Sequence, residues 1–97
     1  MVVNPYSQKD IAPNKFERIF REHVDESELV WHRDRKDRTV KIIECDGWKF
    51  QQDNKLPIEL HEGDTINIKA FEYHRILKGT GSLVVEITEY EPNQNIK

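Results

Sequence analysis

Two histidines and one aspartate are the residues of this 97-residue chain whose types and spacing indicate metal chemistry. His32 and Asp34 form a His-x-Asp pair, and residues two apart on a strand point to the same face. His74 lies forty residues after Asp34, just inside a later apolar segment. Two imidazoles and one carboxylate make up the facial triad of non-heme iron(II) sites, which leaves positions open for water, oxygen or substrate. We therefore predict that His32, Asp34 and His74 are metal ligands.

A second interpretation of the same residues needs no metal. Residues 32–38 read HRDRKDR, and a run of charges of this kind is typical of a solvated loop. In that interpretation Asp34 takes part only in surface ion pairs. The spacing by itself leaves both interpretations open.

The elements that position these side chains are short strands. Turn signals recur about every 8–12 residues, apolar and polar residues alternate between them, and no helical window competes. The predicted strands cover residues 16–24, 28–32, 38–44, 48–52, 56–60, 65–69, 73–77 and 82–90. Asp46-Gly47 is predicted to be a hairpin turn, and Pro57 makes residues 56–60 an expected edge strand. The pattern predicts an all-β sandwich or barrel.

The chain is long enough for a single domain. Residues 1–15 carry Asn4-Pro5 and Pro13-Asn14 with few apolar positions, and they are predicted to be an irregular N-terminal arm. Residues 16–90 are the predicted β-barrel, and residues 91–97 are a predicted loose tail. Only 36% of the residues are apolar, so self-association would add stability, and we expect a homodimer.

Charge and composition exclude several classes of partner. The 15 basic and 18 acidic residues give a net charge of −3, which provides no basic footprint for nucleic acid or an anionic membrane surface. No signal-peptide pattern opens the chain, and no apolar run approaches the ~20 residues of a membrane span. A cytoplasmic location is expected. The single cysteine, Cys45, is interpreted as a structural residue and excludes an intrachain disulfide.

The spacing of these residues resembles that of the cupin superfamily over residues 26–89. The first cupin motif is written Gly-x5-His-x-His-x3,4-Glu-x6-Gly, and the second is Gly-x5-Pro-x-Gly-x2-His-x3-Asn. His32, Gly63 and His74 are identical to motif residues and have the correct separations. The resemblance implies a small cupin-type double-stranded β-helix, which is a jelly-roll barrel with an interior site.

Departures from the motifs bear on what that site binds. Asp34 stands where the second histidine is expected, and a carboxylate oxygen is an acceptable ligand. Arg38 takes the place of the glutamate ligand, and a guanidinium has no lone pair for a metal. Arg38 either points inward, pairing with Asp34 and holding an anionic ligand, or faces solvent beside the metal ligands. Phe71 occupies the second glycine position of the second motif.

The resemblance implies a divalent transition metal (iron, manganese, zinc or nickel) and a small polar or anionic ligand. Arg38, Gln51 and Gln52 are the candidate ligand-binding residues. Dioxygenase-type or isomerase-type chemistry is the expectation for a metal-binding cupin, although a fold does not fix a function. Two alternatives stay open, namely a metal-free module that binds a small molecule and a structural or assembly dimer without catalysis.

Overall fold

A computed structural model describes residues 6–21 and 29–91, and all the regular elements in those ranges are β-strands. The eight strands are β1 (Tyr6–Ala12), β2 (Lys15–Phe20), β3 (Asp37–Glu44), β4 (Lys49–Gln52), β5 (Ile58–Glu59), β6 (Thr65–Ile68), β7 (His74–Leu77) and β8 (Leu83–Tyr90). They form two antiparallel sheets, one with the order β1-β2-β8-β3-β6 and one with the order β5-β4-β7. The all-β prediction is confirmed. Within the described ranges, no helix is long and apolar enough to cross a membrane.

The hydrophobic core consists of the inward-facing residues of both sheets. Val40 and Ile42 on β3, and Leu83, Val85 and Ile87 on β8, are all buried, as their alternation predicts. Burying one such aliphatic side chain stabilises the fold by about 2 kcal/mol. The other sheet and the loops contribute the buried apolar side chains Leu29, Trp48, Phe50 and Leu60.

Strand β1 corrects the prediction that residues 1–15 form an irregular arm. Residues 6–12 pair with β2 in an antiparallel hairpin, with Tyr6 opposite Phe20 and Gln8 opposite Arg18. All residues of β1 after Tyr6 are exposed, so the strand has no inward apolar series. Its pairing depends on backbone hydrogen bonds to β2, which sequence alternation does not report. Residues 1–5 lie outside the described part of the chain.

The chain turns at Asp46-Gly47 as predicted, but this turn is not a hairpin. Gly47 has a positive φ of 79°, which glycine adopts without steric cost. The strands on either side, β3 and β4, lie in different sheets and do not pair with each other. The turn therefore carries the chain from one sheet to the other, and the backbone N–H of Thr80 donates to the Asp46 carbonyl at 2.9 Å to fix it.

Several strands are shorter than predicted. β5 covers only Ile58–Glu59 and, as expected, lies at an edge of its sheet. Pro57 has no backbone N–H to donate, which accounts for the late start of β5. Of the predicted strand at residues 28–32, the structure describes only an isolated bridge between His32 and His74. Residues 22–28, and the tail after Glu91, lie outside the described part of the chain.

Candidate metal centre and cavity

His32 and His74 are direct neighbours across the end of the smaller sheet. The backbone N–H of His32 donates to the carbonyl of His74 at 3.0 Å, and the N–H of His74 donates to the carbonyl of His32 at 2.9 Å. This reciprocal pair places the two ring centroids 4.4 Å apart. His74 is the first residue of β7 and is buried, whereas His32 is exposed. The isolated bridge therefore brings both imidazoles to one place.

Both imidazoles are oriented by the same local hydrogen bond. Nδ1 of His32 lies 3.0 Å from the carbonyl of Val30, and Nδ1 of His74 lies 2.9 Å from the carbonyl of Glu72. A carbonyl can only accept, so each Nδ1 carries the proton and donates it. With Nδ1 donating, Nε2 carries a lone pair when the ring is neutral and a second N–H when the ring is protonated; in His74 this second N–H would point at Asp34. Metal-binding histidines are commonly held in this way, through a carbonyl that fixes the tautomer.

The Asp34 carboxylate completes the group. Its Oδ2 atom lies 3.2 Å from Nε2 of His74 and 3.3 Å from Nη1 of Arg38. Although buried, Oδ2 makes no well-aligned hydrogen bond within the described structure. Burial raises the pKa of Asp34, but the contact with His74 and the charge of Arg38 outweigh it, so the pKa lies below its ordinary value. Asp34 is therefore an ionised carboxylate whose buried oxygen lacks a good partner.

These three residues fit a divalent transition metal. One potential ligand atom from each of His32, Asp34 and His74 lies within 4.8 Å of the other two. Metal–ligand bonds of about 2.0–2.2 Å place ligand atoms about 3.0–3.5 Å apart, so the most widely separated pair would have to approach by up to about 1.8 Å on metal binding. A cation placed there would also satisfy the buried Oδ2 atom of Asp34. Two nitrogens and one oxygen leave coordination positions open, as in facial-triad sites.

Arg38 points inward, which resolves the orientation that the sequence left open. It lies on the same face of β3 as Val40 and Ile42, and its side chain is 11% exposed. Its Nε and Nη2 atoms donate to Oε2 of Glu89 at 2.9 and 2.8 Å, in addition to the Asp34 contact. Arg38 thus joins two carboxylates, and its charge competes with a metal for Asp34.

The interior holds a cavity of about 350 Å³. The triad residues and Arg38 line part of its wall, together with Arg18. Most of the remaining wall is aliphatic or aromatic, from both sheets. Representative apolar residues of the lining are Phe50, Leu60, Ile66, Ile68, Leu83 and Val85. The candidate metal centre therefore opens onto a mainly apolar chamber.

Solved structures with a similar fold identify this architecture. A cupin-2 domain containing protein from Shewanella frigidimarina is 15% identical, and the match covers 92% of this chain and 85% of that chain with a TM-score of 0.65. The chain has the cupin fold. Iron(II) HppE in complex with its substrate matches with 14% identity over 88% of this chain, at a TM-score of 0.64. A chain from the crystal structures of the DMSP lyases RdDddP and RnDddQII is 13% identical, and the match covers 86% of this chain with a TM-score of 0.69.

This chain covers only part of some of those proteins. It spans 40% of the lyase chain and 52% of the HppE chain. No family model matches the sequence, and no curated protein matches it. The similarity therefore establishes the fold, and the interior site must be argued from its own residues.

The structure places Gln51 and Gln52, two of the predicted ligand-binding residues, away from the lining of the cupin cavity. The Gln51 amide donates to the carbonyl of Lys55 and accepts from Arg75, both on the outer side. Gln52 pairs with His74 in the sheet, but its amide donates to the Glu72 carboxylate at 3.0 Å. Both amides are therefore already engaged by other side chains or by the backbone.

Arg18 is a cavity residue that the sequence analysis did not single out. It lies on β2 opposite Val85, and Phe16 and Phe20 flank it at a spacing of two residues. Because both phenylalanines are buried, the residue between them must face inward as well. The sequence feature that could have identified Arg18 is its position two residues from both Phe16 and Phe20 in the same predicted strand.

A strained residue couples the loop of Asp34 to that of His74. Phe71 has a φ of 65°, which is costly for a bulky side chain, and its N–H donates to the carbonyl of Asp34 at 2.7 Å. The next hydrogen bond runs from the N–H of Ala70 to the Asp37 carboxylate at 2.7 Å. Phe71 stands at a glycine position of the second cupin motif, and the backbone here has the conformation that glycine favours.

The Phe71→Gly variant is expected to be more stable than the natural protein. Phe71 is 57% exposed, so its removal loses little burial. Relief of the positive φ gains about 1–3 kcal/mol, and the greater freedom of glycine in the unfolded chain offsets about 0.5–1 kcal/mol of it. Denaturant unfolding of Phe71→Gly beside Phe71→Ala measures this. Alanine keeps the strain and should give no such gain, and a glycine variant less stable than the natural protein would contradict the argument.

Proposed function

We propose that this cupin-fold protein binds one divalent transition metal through His32, Asp34 and His74. The observation that carries the proposal is that one ligand atom of each of His32, Asp34 and His74 lies within 4.8 Å of the other two, while the buried Oδ2 atom of Asp34 has no well-aligned hydrogen bond among the described residues. The match to HppE, which its structure describes as an iron(II) protein, supports a metal in a barrel of this shape.

The three ligand residues line the cavity, so a small molecule in the cavity would lie beside a bound metal. We propose dioxygenase-type or isomerase-type chemistry on such a molecule, in line with the substrate complex of iron(II) HppE and with a solved structure of this fold that is described as a putative mannose-6-phosphate isomerase. A bound divalent ion would supply Lewis acidity or one-electron chemistry there. The chain itself supplies the three ligand residues and a mainly apolar wall around the cavity.

A metal-free binding module is the second candidate, and one observation favours it. The Oδ2 atom of Asp34 already lies 3.3 Å from Nη1 of Arg38 and 3.2 Å from Nε2 of His74. These two side chains can therefore stabilise the carboxylate without a metal ion. In that case Asp34, Arg38, His74 and Glu89 form an ion-pair network at one side of a ligand cavity.

Metal content and thermal stability separate the two candidates. Protein purified without a histidine tag is expected to carry about one divalent ion per chain, because the three ligands form one site. A free metal concentration of 100 times Kd should stabilise the fold by about 2.7 kcal/mol. The melting temperature should then fall by about 10–20 °C when a chelator removes the metal.

The matched control for that experiment is Asp34→Asn, which keeps the shape of the side chain but removes its charge. Its melting temperature should respond little to metal or to chelator. Sub-stoichiometric metal in elemental analysis, with a melting temperature that chelator does not change, would favour the metal-free module.

We also propose that the protein forms a homodimer. Besides the low apolar content, several large apolar side chains stay exposed, including Val30 at 59%, Trp31 at 39% and Tyr73 at 42%. Light scattering is expected to give twice the mass of one chain. A monomer at micromolar concentration would contradict this proposal without affecting the metal site.

A further inference from the structure

The wall of the cavity is divided between a polar group and a larger apolar surface. Of the nineteen lining residues, thirteen are aliphatic side chains or phenylalanine. The polar members are Tyr6, Arg18, His32, Asp34, Arg38 and His74. A pocket of this volume, mainly apolar with a few convergent polar groups, is of the kind that holds a small organic molecule. Sugars and other polyhydroxylated molecules would leave many hydroxyl groups facing apolar walls.

Among the polar members, Arg18 keeps the most unused hydrogen-bonding capacity. Its Nε donates to the Gln8 side chain at 2.9 Å, and its guanidinium stacks 4.1 Å from the Tyr6 ring centroid and 4.9 Å from that of Phe16. Within residues 6–21 and 29–91, no partner accepts from its terminal nitrogens and no carboxylate lies within 4 Å of it. As far as the described residues show, four of its N–H groups are thus available to a ligand.

Arg38 differs from Arg18 in this respect. Two of its nitrogens contact Glu89 and a third contacts Asp34, so its donors are directed at carboxylates of the chain itself. Burial lowers the pKa of Arg18 and the charge of Arg38 lowers it further, although Tyr6, Asp34 and Glu89 act in the opposite direction. Because Arg38 contacts two carboxylates and Arg18 contacts none among the described residues, the positive charge of Arg18 is the less well compensated of the two.

A bound metal would increase this imbalance. Around the polar group, the charges of Arg18 and Arg38 are balanced by those of Asp34 and Glu89. The ligand imidazoles bind in the neutral form, so a divalent ion would leave an excess of two positive charges beside the cavity. An anionic ligand would reduce that excess, whereas a neutral or cationic one would not.

We propose that the cavity binds a small carboxylic acid with an apolar body, whose carboxylate is received by the terminal nitrogens of Arg18 beside the metal ligands. The apolar body lies against the aliphatic wall formed by residues such as Ile66, Ile68 and Val85. A guanidinium binds a carboxylate through two parallel hydrogen bonds, which fixes the orientation of the ligand. The inference deepens the proposed function and rests on it for the added charge of the metal.

Calorimetric titration of the full chain with three probes tests each part of the inference. Phenylacetate carries both the apolar body and the anion, phenylacetamide carries the body alone, and acetate carries the anion alone. Phenylacetate is expected to bind metal-loaded protein at least about tenfold more tightly than either of the others, because each lacks one of the two interactions.

The variant that tests the role of Arg18 is Arg18→Met, which keeps the length of the side chain and removes the charge. It should bind phenylacetate about tenfold more weakly, because one charge-assisted, bidentate contact is lost. Its metal content should stay unchanged, since Arg18 is not a ligand. Arg18→Lys retains the charge without the fork and should give an intermediate affinity.

Three results would overturn the inference: no binding of phenylacetate at millimolar concentration, equal affinity for phenylacetamide or acetate, or an unchanged affinity in a folded Arg18→Met variant. Failure of the proposed function is measured separately. If the protein holds no metal but phenylacetate still binds in a manner that depends on Arg18, the metal proposal fails and the ligand class stands. If metal binds at one ion per chain and phenylacetate does not bind, the metal proposal stands and the proposed ligand class fails.

Discussion

Replacing His74 with alanine is expected to reduce the bound metal from about one ion per chain to a trace. His74 is buried, its Nδ1 is committed to the Glu72 carbonyl, and its Nε2 faces Asp34 at 3.2 Å. Loss of a residue that merely orients a ligand weakens metal binding by 10–100-fold, so loss of the ligand itself should cost at least about 100-fold. Elemental analysis and calorimetric titration with the metal measure this effect.

A matched control is available in the same chain. His61 is exposed, and its ring lies near the carboxylates of Glu59 and Asp64 on the surface, away from the cavity. His61→Ala therefore makes the same chemical change outside the site and should keep the full metal content. If His74→Ala fails to fold because its ring is buried, His32→Ala removes the exposed ligand with less structural cost. Stoichiometric metal in folded His74→Ala and His32→Ala would contradict the assigned site.

Replacing Arg38 with methionine is expected to change stability and metal affinity in opposite directions. In the metal-free protein Arg38 is the cation between Asp34 and Glu89, and the exposed fractions of the three side chains are 11%, 17% and 21%. Removing one partner of a buried pair leaves uncompensated charge and costs about 3–5 kcal/mol, of which we expect the lower end because these groups are not fully buried. Thermal unfolding of metal-free protein measures the loss.

Metal affinity should rise in the same variant. Arg38 holds a positive charge 3.3 Å from the proposed ligand oxygen of Asp34, and its removal leaves that oxygen for the metal. A gain on the order of tenfold corresponds to about 1.4 kcal/mol, which is a modest share of the repulsion between charges at this separation. The variant Glu89→Gln disturbs Arg38 from its other side and should not raise the affinity. Weaker metal binding in Arg38→Met would show that Arg38 supports the site and does not compete with the metal.

The opposed effects of Arg38→Met also discriminate between the two candidate functions. If the protein is a metal-free module, Arg38→Met loses stability and metal does not restore it. If the triad binds metal, adding the ion should recover stability, since the divalent charge replaces that of the guanidinium beside Asp34.

The fold could be predicted largely from local patterns. The alternation of Val40 with Ile42, and of Leu83 with Val85 and Ile87, placed these residues in the core because a strand side chain has only two directions to point. Strand β1 escaped prediction because a strand paired through its backbone at the edge of a sheet needs no apolar series. The passage of the chain from one sheet to the other at Asp46-Gly47 was not predicted either, because a turn signal does not indicate which strands pair.

The sequence by itself determined that an all-β chain carries a His-x-Asp pair and a distant histidine at cupin spacing. Only the tertiary structure decided that His32 and His74 bridge each other, that Arg38 is bound by Asp34 and Glu89, and that Arg18 lines a mainly apolar cavity. The physical reason is the separation along the chain of the residues that interact. Side-chain direction along a strand is a local property, whereas the partner of a charged side chain depends on the register between strands far apart in the chain.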